Sequence, residues 1–88
     1  MDKAISLAID VINELRNFFD DCLVEINIDL KYESFIDICL KWYKDDHLCQ
    51  YSHKINRGEF ISRSYHLLYE HHLHSIANKI IEYKGEIK

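Results

Sequence analysis

Residues that interrupt regular structure are almost missing from this chain. Its 88 residues include no proline and only two glycines, Gly58 and Gly85. Long uninterrupted elements are therefore expected, and such a composition favours helices. With 48% apolar residues, the chain can bury the core of one small domain, and it is too short for two. We predict a single helical domain over residues 1–88.

The first helix is predicted over residues 3–22. Its apolar side chains recur at intervals of three and four residues, so they fall on one face of a helix. They are Ile5, Ala8, Ile9, Ile12, Leu15 and Phe19. The opposite face carries four polar residues, which are Asp10, Glu14, Asn17 and Asp21. Val11 and Phe18 widen the apolar arc, so we expect this helix to contact neighbours on two sides.

Residues 23–30 carry a different pattern, in which apolar and polar side chains alternate. The apolar members are Val24, Ile26, Ile28 and Leu30. Strict alternation is typical of a strand, yet no second alternating segment is evident for it to pair with, and a lone strand leaves its backbone groups unpaired. We therefore predict an extended connector at about 23–30. A strand that pairs across a homodimer is the alternative.

The middle of the chain is predicted to return to helical structure. A helix over 31–45 is indicated by apolar residues that share a helical face, which are Tyr32, Phe35, Ile36, Cys39, Trp42 and Tyr43. A short helix is expected to follow at 46–54. Asn56-Arg57-Gly58 then predicts a turn, because glycine takes positive φ at no steric cost.

The longest helix is predicted over residues 59–83. Its apolar face consists of Ile61, Tyr65, Leu68, Tyr69, Ile76, Ile80 and Tyr83. The predicted fold class is therefore all-α. It is a compact bundle of three long helices plus one short helix, with the extended connector between the first two.

Negative charge is concentrated near the start of the chain. The formal net charge is −4, with histidine counted as neutral. Residues 1–30 alone carry seven acids against Lys3 and Arg16, which gives −5. An acidic surface disfavours binding to a nucleic-acid backbone and favours a basic protein surface. We predict a protein partner with a basic surface, such as a toxin or nuclease, and no direct contact with nucleic acid.

The acidic stripe on the first helix is the predicted partner-binding site. Like charges four residues apart destabilise a helix slightly, so a stripe without interleaved lysines is a poor arrangement if solubility were its only purpose. Tyrosine adds the large, rigid contact area that is common at interface hot spots. The predicted site residues are Asp10, Glu14, Asn17, Asp20, Asp21 and Tyr32.

The three cysteines indicate the compartment. Cys22, Cys39 and Cys49 are odd in number and widely spaced, which argues against a disulfide framework and favours reduced thiols. The stretch after Met1 is interrupted by charged residues, unlike a secretory signal, and no apolar run reaches the roughly 20 residues that span a bilayer. We expect a cytoplasmic protein that does not contact membranes.

Six histidines between residues 47 and 74 suggest a metal site or a nuclease as the alternative. His66, Glu70 and His74 lie along one helical face, which is predicted to face solvent. Of the six, only His72 is predicted to lie near the core. No recognised zinc or catalytic spacing is present, so we predict no catalytic residue, no metal and no cofactor. Arg63 and His66 resemble the Arg-plus-His pair of HEPN ribonucleases, although their spacing is shorter.

Two stretches of the sequence resemble a known family. They are LAIDVINELRNFF and INIDLKYESFIDICLKWYKDD. The second is similar in rhythm to small acidic helical immunity proteins of nuclease bacteriocins, of the colicin D immunity-like kind. The matching positions are Glu33, Phe35, Trp42, Lys44 and Asp45. The resemblance implies a helical bundle that plugs the active cleft of a toxin with acidic residues.

These observations together predict a non-catalytic protein-binding inhibitor. It would be an immunity protein, an antitoxin or a phage-encoded inhibitor, and would occlude a basic cleft of its partner. One alternative is a small metal-binding or nuclease-like helical protein that uses the histidines. The other is a structural module that self-associates through residues 23–30.

Overall fold

The computed structural model describes residues 2–85, with side chains through residue 82. Two α-helices flank three consecutive strands in the chain, and the connections are short. In chain order they are α1 (Lys3–Phe19), β1 (Leu23–Asp29), β2 (Phe35–Lys44), β3 (His47–Asn56), a 3₁₀ helix (Arg57–Ile61) and α2 (Tyr65–Gly85). The fold is therefore α+β, and the prediction of an all-α helical bundle is wrong.

The three strands form one antiparallel sheet in the order β1-β2-β3. The central strand β2 pairs on both sides, so that Ile38 lies between Ile28 of β1 and His53 of β3. A two-residue turn joins β2 to β3, and both of its residues, Asp45 and Asp46, have positive φ. This backbone twist matches the twist of paired strands, and aspartate tolerates it better than most residues.

Alternation of burial explains why residues 31–45 do not form the predicted helix. One face of β2 is buried against the helices and consists of Ile36, Ile38, Leu40, Trp42 and Lys44. The other face, which we call the open face, carries Asp37 and Lys41 but also Phe35, Cys39 and Tyr43. Those three apolar residues recur every four positions, so they imitate a helical period. The short helix predicted at 46–54 is also wrong, because Asp46 lies in the turn and residues 47–54 lie in β3.

The alternation in residues 23–30 did indicate a strand. Its partner is β2 of the same chain, because Ile26 pairs with Leu40 and Ile28 with Ile38. The predicted connector is therefore wrong, and the absence of a partner strand, which was the reason for considering a homodimer, no longer applies. A bulge between Leu23 and Glu25 interrupts the pairing at one end of β1.

The first helix is confirmed, although it ends at Phe19 and not at residue 22. Asp2 caps its start, since the carboxylate accepts a hydrogen bond from the Ala4 N–H at 2.9 Å. The buried face of α1 supplies nearly half of the core. Its members are Ala4, Leu7, Ala8, Val11, Ile12, Leu15 and Phe19.

The second helix begins at Tyr65, six residues later than predicted. The 3₁₀ helix precedes it and includes Gly58, which does not have the positive φ that was expected. Ile61 was assigned to the buried face but is 91% exposed. Leu68, Ile76 and Ile80 are buried as predicted. Within residues 2–85, neither helix combines the length and the apolar character that crossing a membrane requires.

Candidate functional site

A continuous groove runs along the outer surface between α1 and α2. Its polar end is lined by Asp10, Asn13, Glu14, Tyr65, His66 and Tyr69. Its apolar end is lined by Glu14, Phe18, Phe19, Tyr69, Leu73, His74, Ala77, Asn78 and Ile81. Glu14 and Tyr69 line both ends, so the two depressions adjoin each other, and together we call them the interhelical groove.

The apolar end of the interhelical groove is the larger one. Its volume is about 620 Å³, against about 360 Å³ for the polar end. Phe18 is 65% exposed there and Ile81 is 54% exposed, one on each helix. Large apolar side chains that face each other across an open groove are characteristic of protein-binding surfaces.

At the polar end, a hydrogen bond joins the two helices. The Tyr65 hydroxyl donates to the Asp10 carboxylate. Burial, and after it this hydrogen bond to Asp10, raises the pKa of Tyr65 to about 12. The pKa of Tyr69 is also raised, first by burial and then by the charges of Glu14 and Asp10. Both tyrosines therefore keep their protons at neutral pH and present hydroxyl groups beside the carboxylates.

The structure brings together only some of the predicted site residues. Asp10 and Glu14 line the interhelical groove, and Asn17 is exposed on the same helix. Asp20 and Asp21 are exposed at the C-terminal end of α1. Among the residues whose side chains are described, none of these four acids forms a salt bridge with lysine or arginine. Asp2 and Glu25 do, with Arg57 at 2.9 Å and Lys41 at 3.2 Å.

Tyr32 lies at a different part of the molecule. Its ring stacks on Phe35 with centroids 4.5 Å apart, in the connection between β1 and β2. Arg57 donates to the Tyr32 carbonyl at 3.0 Å and to Asp2, so this connection is tied to the N-terminal end of α1. Asp20 and Asp21 follow the other end, about 25 Å away along a helix of this length. Tyr32 therefore does not share one surface with all the predicted acids.

Sequence reasoning missed most of the apolar end of the groove. Phe18 was recognised as widening the apolar arc of α1, but Leu73, Ala77 and Ile81 were assigned no role. They recur every four residues along α2, and this spacing is a signal for a second apolar stripe beside the buried one. A surface helix usually carries one apolar stripe, and the buried residues of α2 already supply it. The second stripe was therefore not recognised.

Two of the six histidines, His53 and His72, take part in a chain of hydrogen bonds between elements of the fold. His53 Nε2 lies 2.7 Å from His72 Nδ1, and His72 Nε2 lies 2.8 Å from Glu59 Oε2. The Tyr51 hydroxyl lies 3.1 Å from His53 Nδ1. We call Tyr51, His53, His72 and Glu59 the histidine chain. His72 is only 2% exposed, so the prediction that it alone lies near the core-facing centre of its helix is confirmed.

The remaining histidine groupings do not form a site in the described part of the chain. His66 and His74 are exposed, as predicted, and His66 Nε2 lies 3.3 Å from the Glu70 carboxylate. The described residues include no group of three or more His, Cys, Asp or Glu side chains with the geometry to hold a metal ion. In the histidine chain, the facing nitrogens of His53 and His72 are at hydrogen-bond distance and leave no room for a metal between them.

Comparisons with protein-family models, with curated proteins and with solved structures found no match. The likeness to immunity proteins therefore depends on the sequence rhythm alone. The helical bundle that the likeness implies is not the fold of this chain, because most of the matching positions, including Phe35, Trp42 and Lys44, lie in β2.

Proposed function

We propose that this chain is a non-catalytic protein-binding inhibitor, of the immunity, antitoxin or phage-inhibitor type, whose contact surface is the interhelical groove. The observation that carries the proposal is the combination of exposed apolar side chains with acids that have no basic partner among the described residues. Phe18 and Ile81 supply the first, and Asp10 and Glu14 supply the second.

The two parts of the groove support different steps of binding. Carboxylates that no internal cation neutralises attract a basic surface and increase the rate of association. Phe18 offers a buried anchor once a partner covers it, and burying an aromatic ring supplies much of the affinity of a typical interface. A partner with a basic cleft and an apolar side chain at its margin fits both features.

The thiols fit a reducing compartment. Cys22, Cys39 and Cys49 are all free, and each is partly buried. Reduced cysteines that behave as small apolar side chains are usual in the cytoplasm, which is where we place the protein and its partner.

The proposal is tested by capture of partners from the native host with matched variants. We compare the wild type with two groove variants, Phe18→Ser and the triple variant Asp10→Lys, Glu14→Lys, Asp21→Lys. The triple variant joins the two acids of the groove to the exposed acid just beyond the C-terminal end of α1. The control for Phe18 is Ile61→Ser, because Ile61 is 91% exposed and lies outside the groove. The control for the acids is Asp29→Lys, Glu33→Lys, Asp37→Lys, which changes the net charge equally in and around β1 and β2.

We expect one protein to be captured by the wild type and both controls, and to be lost with the two groove variants. With that protein purified, the triple variant should slow association, and the difference from wild type should be larger at low salt. Equal loss in groove and control variants would reject the groove as the contact surface. Retention of the partner by both groove variants would do the same.

A further inference from the structure

The histidine chain joins three separate elements of the fold. Tyr51 and His53 lie on β3, Glu59 on the 3₁₀ helix and His72 on α2. The three elements contact one another through a line of polar groups, one of which is almost fully buried. Burying a polar group costs free energy unless the group is hydrogen-bonded. The packing of α2 in its observed position therefore requires that the hydrogen bonds of the histidine chain are made.

The position of each proton in the histidine chain follows from the group at one end of it, the Glu59 carboxylate. A carboxylate has no proton to donate, so His72 Nε2–H donates to Glu59. A neutral imidazole has one N–H, so His72 Nδ1 accepts from His53 Nε2–H. By the same rule His53 Nδ1 accepts from the Tyr51 hydroxyl. Both histidines are therefore the Nε2–H tautomer, and all donors point toward Glu59.

The same geometry limits how many protons the chain can take up. A single added proton can rest on either imidazole, because in both cases His53 Nδ1 gains a hydrogen, the Tyr51 hydroxyl rotates to accept it and every contact survives. When both imidazoles are protonated, His53 Nε2–H faces His72 Nδ1–H across 2.7 Å. Two donors and two positive charges then oppose each other, and the central hydrogen bond is lost.

The charged and titratable groups around the pair come from all three elements. The His71 ring lies 5.1 Å from His72, and Lys79 lies 5.9 Å from the centre of the Tyr51 ring. Glu59 is the only acid in the histidine chain, and the Asn56 side chain contacts it at 3.5 Å. The pKa of His53 is lowered from 6.5 to about 4, mainly by burial and then by the charges of His72 and His71, while Glu59 opposes the shift.

The sign of the pH effect follows from that shift. In the unfolded chain His53 takes up its proton near the ordinary value, whereas in the folded chain it does so only near pH 4. Between these values the unfolded chain holds more protons, so the free energy of unfolding falls as pH decreases from about 6.5 to about 4. Above pH 6.5 the contribution of His53 is fully present.

We propose that the histidine chain is an acid-sensitive latch, which holds α2 and the 3₁₀ helix against β3 and opens when His53 and His72 are both protonated. The latch is independent of what the interhelical groove binds, because it depends only on contacts within the chain. Its opening weakens the attachment of the N-terminal half of α2, where Leu68 is the remaining buried side chain, whereas Ile76 and Ile80 hold the C-terminal half by apolar contacts.

The first test is nitrogen-15 NMR of the histidine rings in the wild-type protein between pH 8 and 3.5. We expect both His53 and His72 to be Nε2–H tautomers at neutral pH. His53 should stay neutral until about pH 4. An Nδ1–H tautomer at either position, or titration of His53 near the ordinary value of 6.5, would overturn the latch.

The second test compares urea unfolding at pH 7 and pH 4 in wild type, His53→Gln and the control His66→Gln. Glutamine cannot take up a proton, so the fall in the urea midpoint between the two pH values should be at least halved in H53Q. H66Q should follow the wild type. An equal fall in H53Q and wild type contradicts the proposal, and the NMR measurement decides if H53Q does not fold.

The third test locates the opening by hydrogen exchange at pH 7 and pH 4, corrected for the intrinsic dependence of exchange on pH. Protection of backbone amides in 57–61 and the first half of α2 should fall at least tenfold more than protection in α1. A uniform loss over the whole chain would mean that acid unfolds the domain as one unit, and it would reject a latch.

Discussion

α1 and α2 lie side by side on the same face of the sheet, but the side chains that hold them there differ in chemistry. The buried face of α1 is apolar along its whole length, from Ala4 to Phe19. The buried face of α2 has apolar side chains at Leu68, Ile76 and Ile80, with His72 between them. The buried side chains of α1 are all apolar, whereas those of α2 include a residue that makes directional hydrogen bonds.

This difference teaches how each helix responds to its surroundings. Apolar burial has no preferred direction and does not involve protons, so the packing of the buried face of α1 does not depend on pH. The hydrogen bonds of His72 require fixed distances to His53 and Glu59, so they set the position of α2 over β3. They also make that position dependent on protonation.

The largest effect is expected from a cavity under α1. Leu7 is fully buried, so Leu7→Ala should lower the free energy of unfolding by about 2–5 kcal/mol. The loss should be similar at pH 7 and pH 5 because no titrating group is involved. Chemical denaturation measures it, with Ile9→Ala on the exposed side of the same helix as the control. A strong pH dependence of the Leu7→Ala loss would remove the contrast between the helices.

A smaller effect is expected from removing the polar contact of α2. His72→Phe keeps a ring of similar shape but deletes both hydrogen bonds, which should cost about 1–3 kcal/mol at pH 7. At pH 4 the cost should shrink, because the wild-type latch is then open. The exposed control His66→Phe should change stability little at either pH. If the cost of His72→Phe were the same at pH 7 and pH 4, the proton dependence assigned to α2 would be wrong.

The smallest effects are expected at the two helix starts. Asp2→Ala removes the cap of α1 and should cost about 1 kcal/mol. Ser64→Ala removes the longer cap contact of α2, 3.3 Å from the Ser64 hydroxyl to the Leu67 N–H, and should cost less. Thermal unfolding of both variants gives the comparison. Ser64→Ala being the more damaging change would show that α2 depends on its cap more than its geometry suggests.

Asp2 also has a pH dependence of its own. The hydrogen bond from Arg57 is the main cause that holds the pKa of Asp2 below its ordinary 3.8. Its contribution is therefore present above that value and is lost as pH falls through the lower, folded pKa. The loss of the Asp2 contribution should thus occur at lower pH than the start of the His53 effect, and the Asp2→Ala variant should remove it.

Parts of the fold that depend on one local period were predictable. The helical period of α1, its polar face with Asp10 and Glu14, and the inward position of His72 all follow from the sequence. The prediction of the strands failed for a local reason as well, because Phe35, Cys39 and Tyr43 recur with a helical period on the open face of β2. With β2 misassigned, the correct alternation in 23–30 had no partner, and one error produced the next.

The site was predictable only in part. The acids of α1 were found, but the stripe of Leu73, Ala77 and Ile81 gains its meaning only when α2 is placed beside α1. Tyr32 was grouped with those acids as an aromatic residue at the end of a predicted helix, where it could contact a partner. The contacts of Arg57 place it instead near the N-terminal end of α1.

The sequence by itself determined which faces of the helices are apolar, where the negative charge is concentrated and which histidine points inward. These properties follow from the spacing of residues along one element. Only the tertiary structure decided that residues 23–56 form a sheet, that two apolar stripes enclose a groove, and that His53 meets His72. The physical reason is that strand pairing and hydrogen bonds between distant residues depend on positions that no local period encodes.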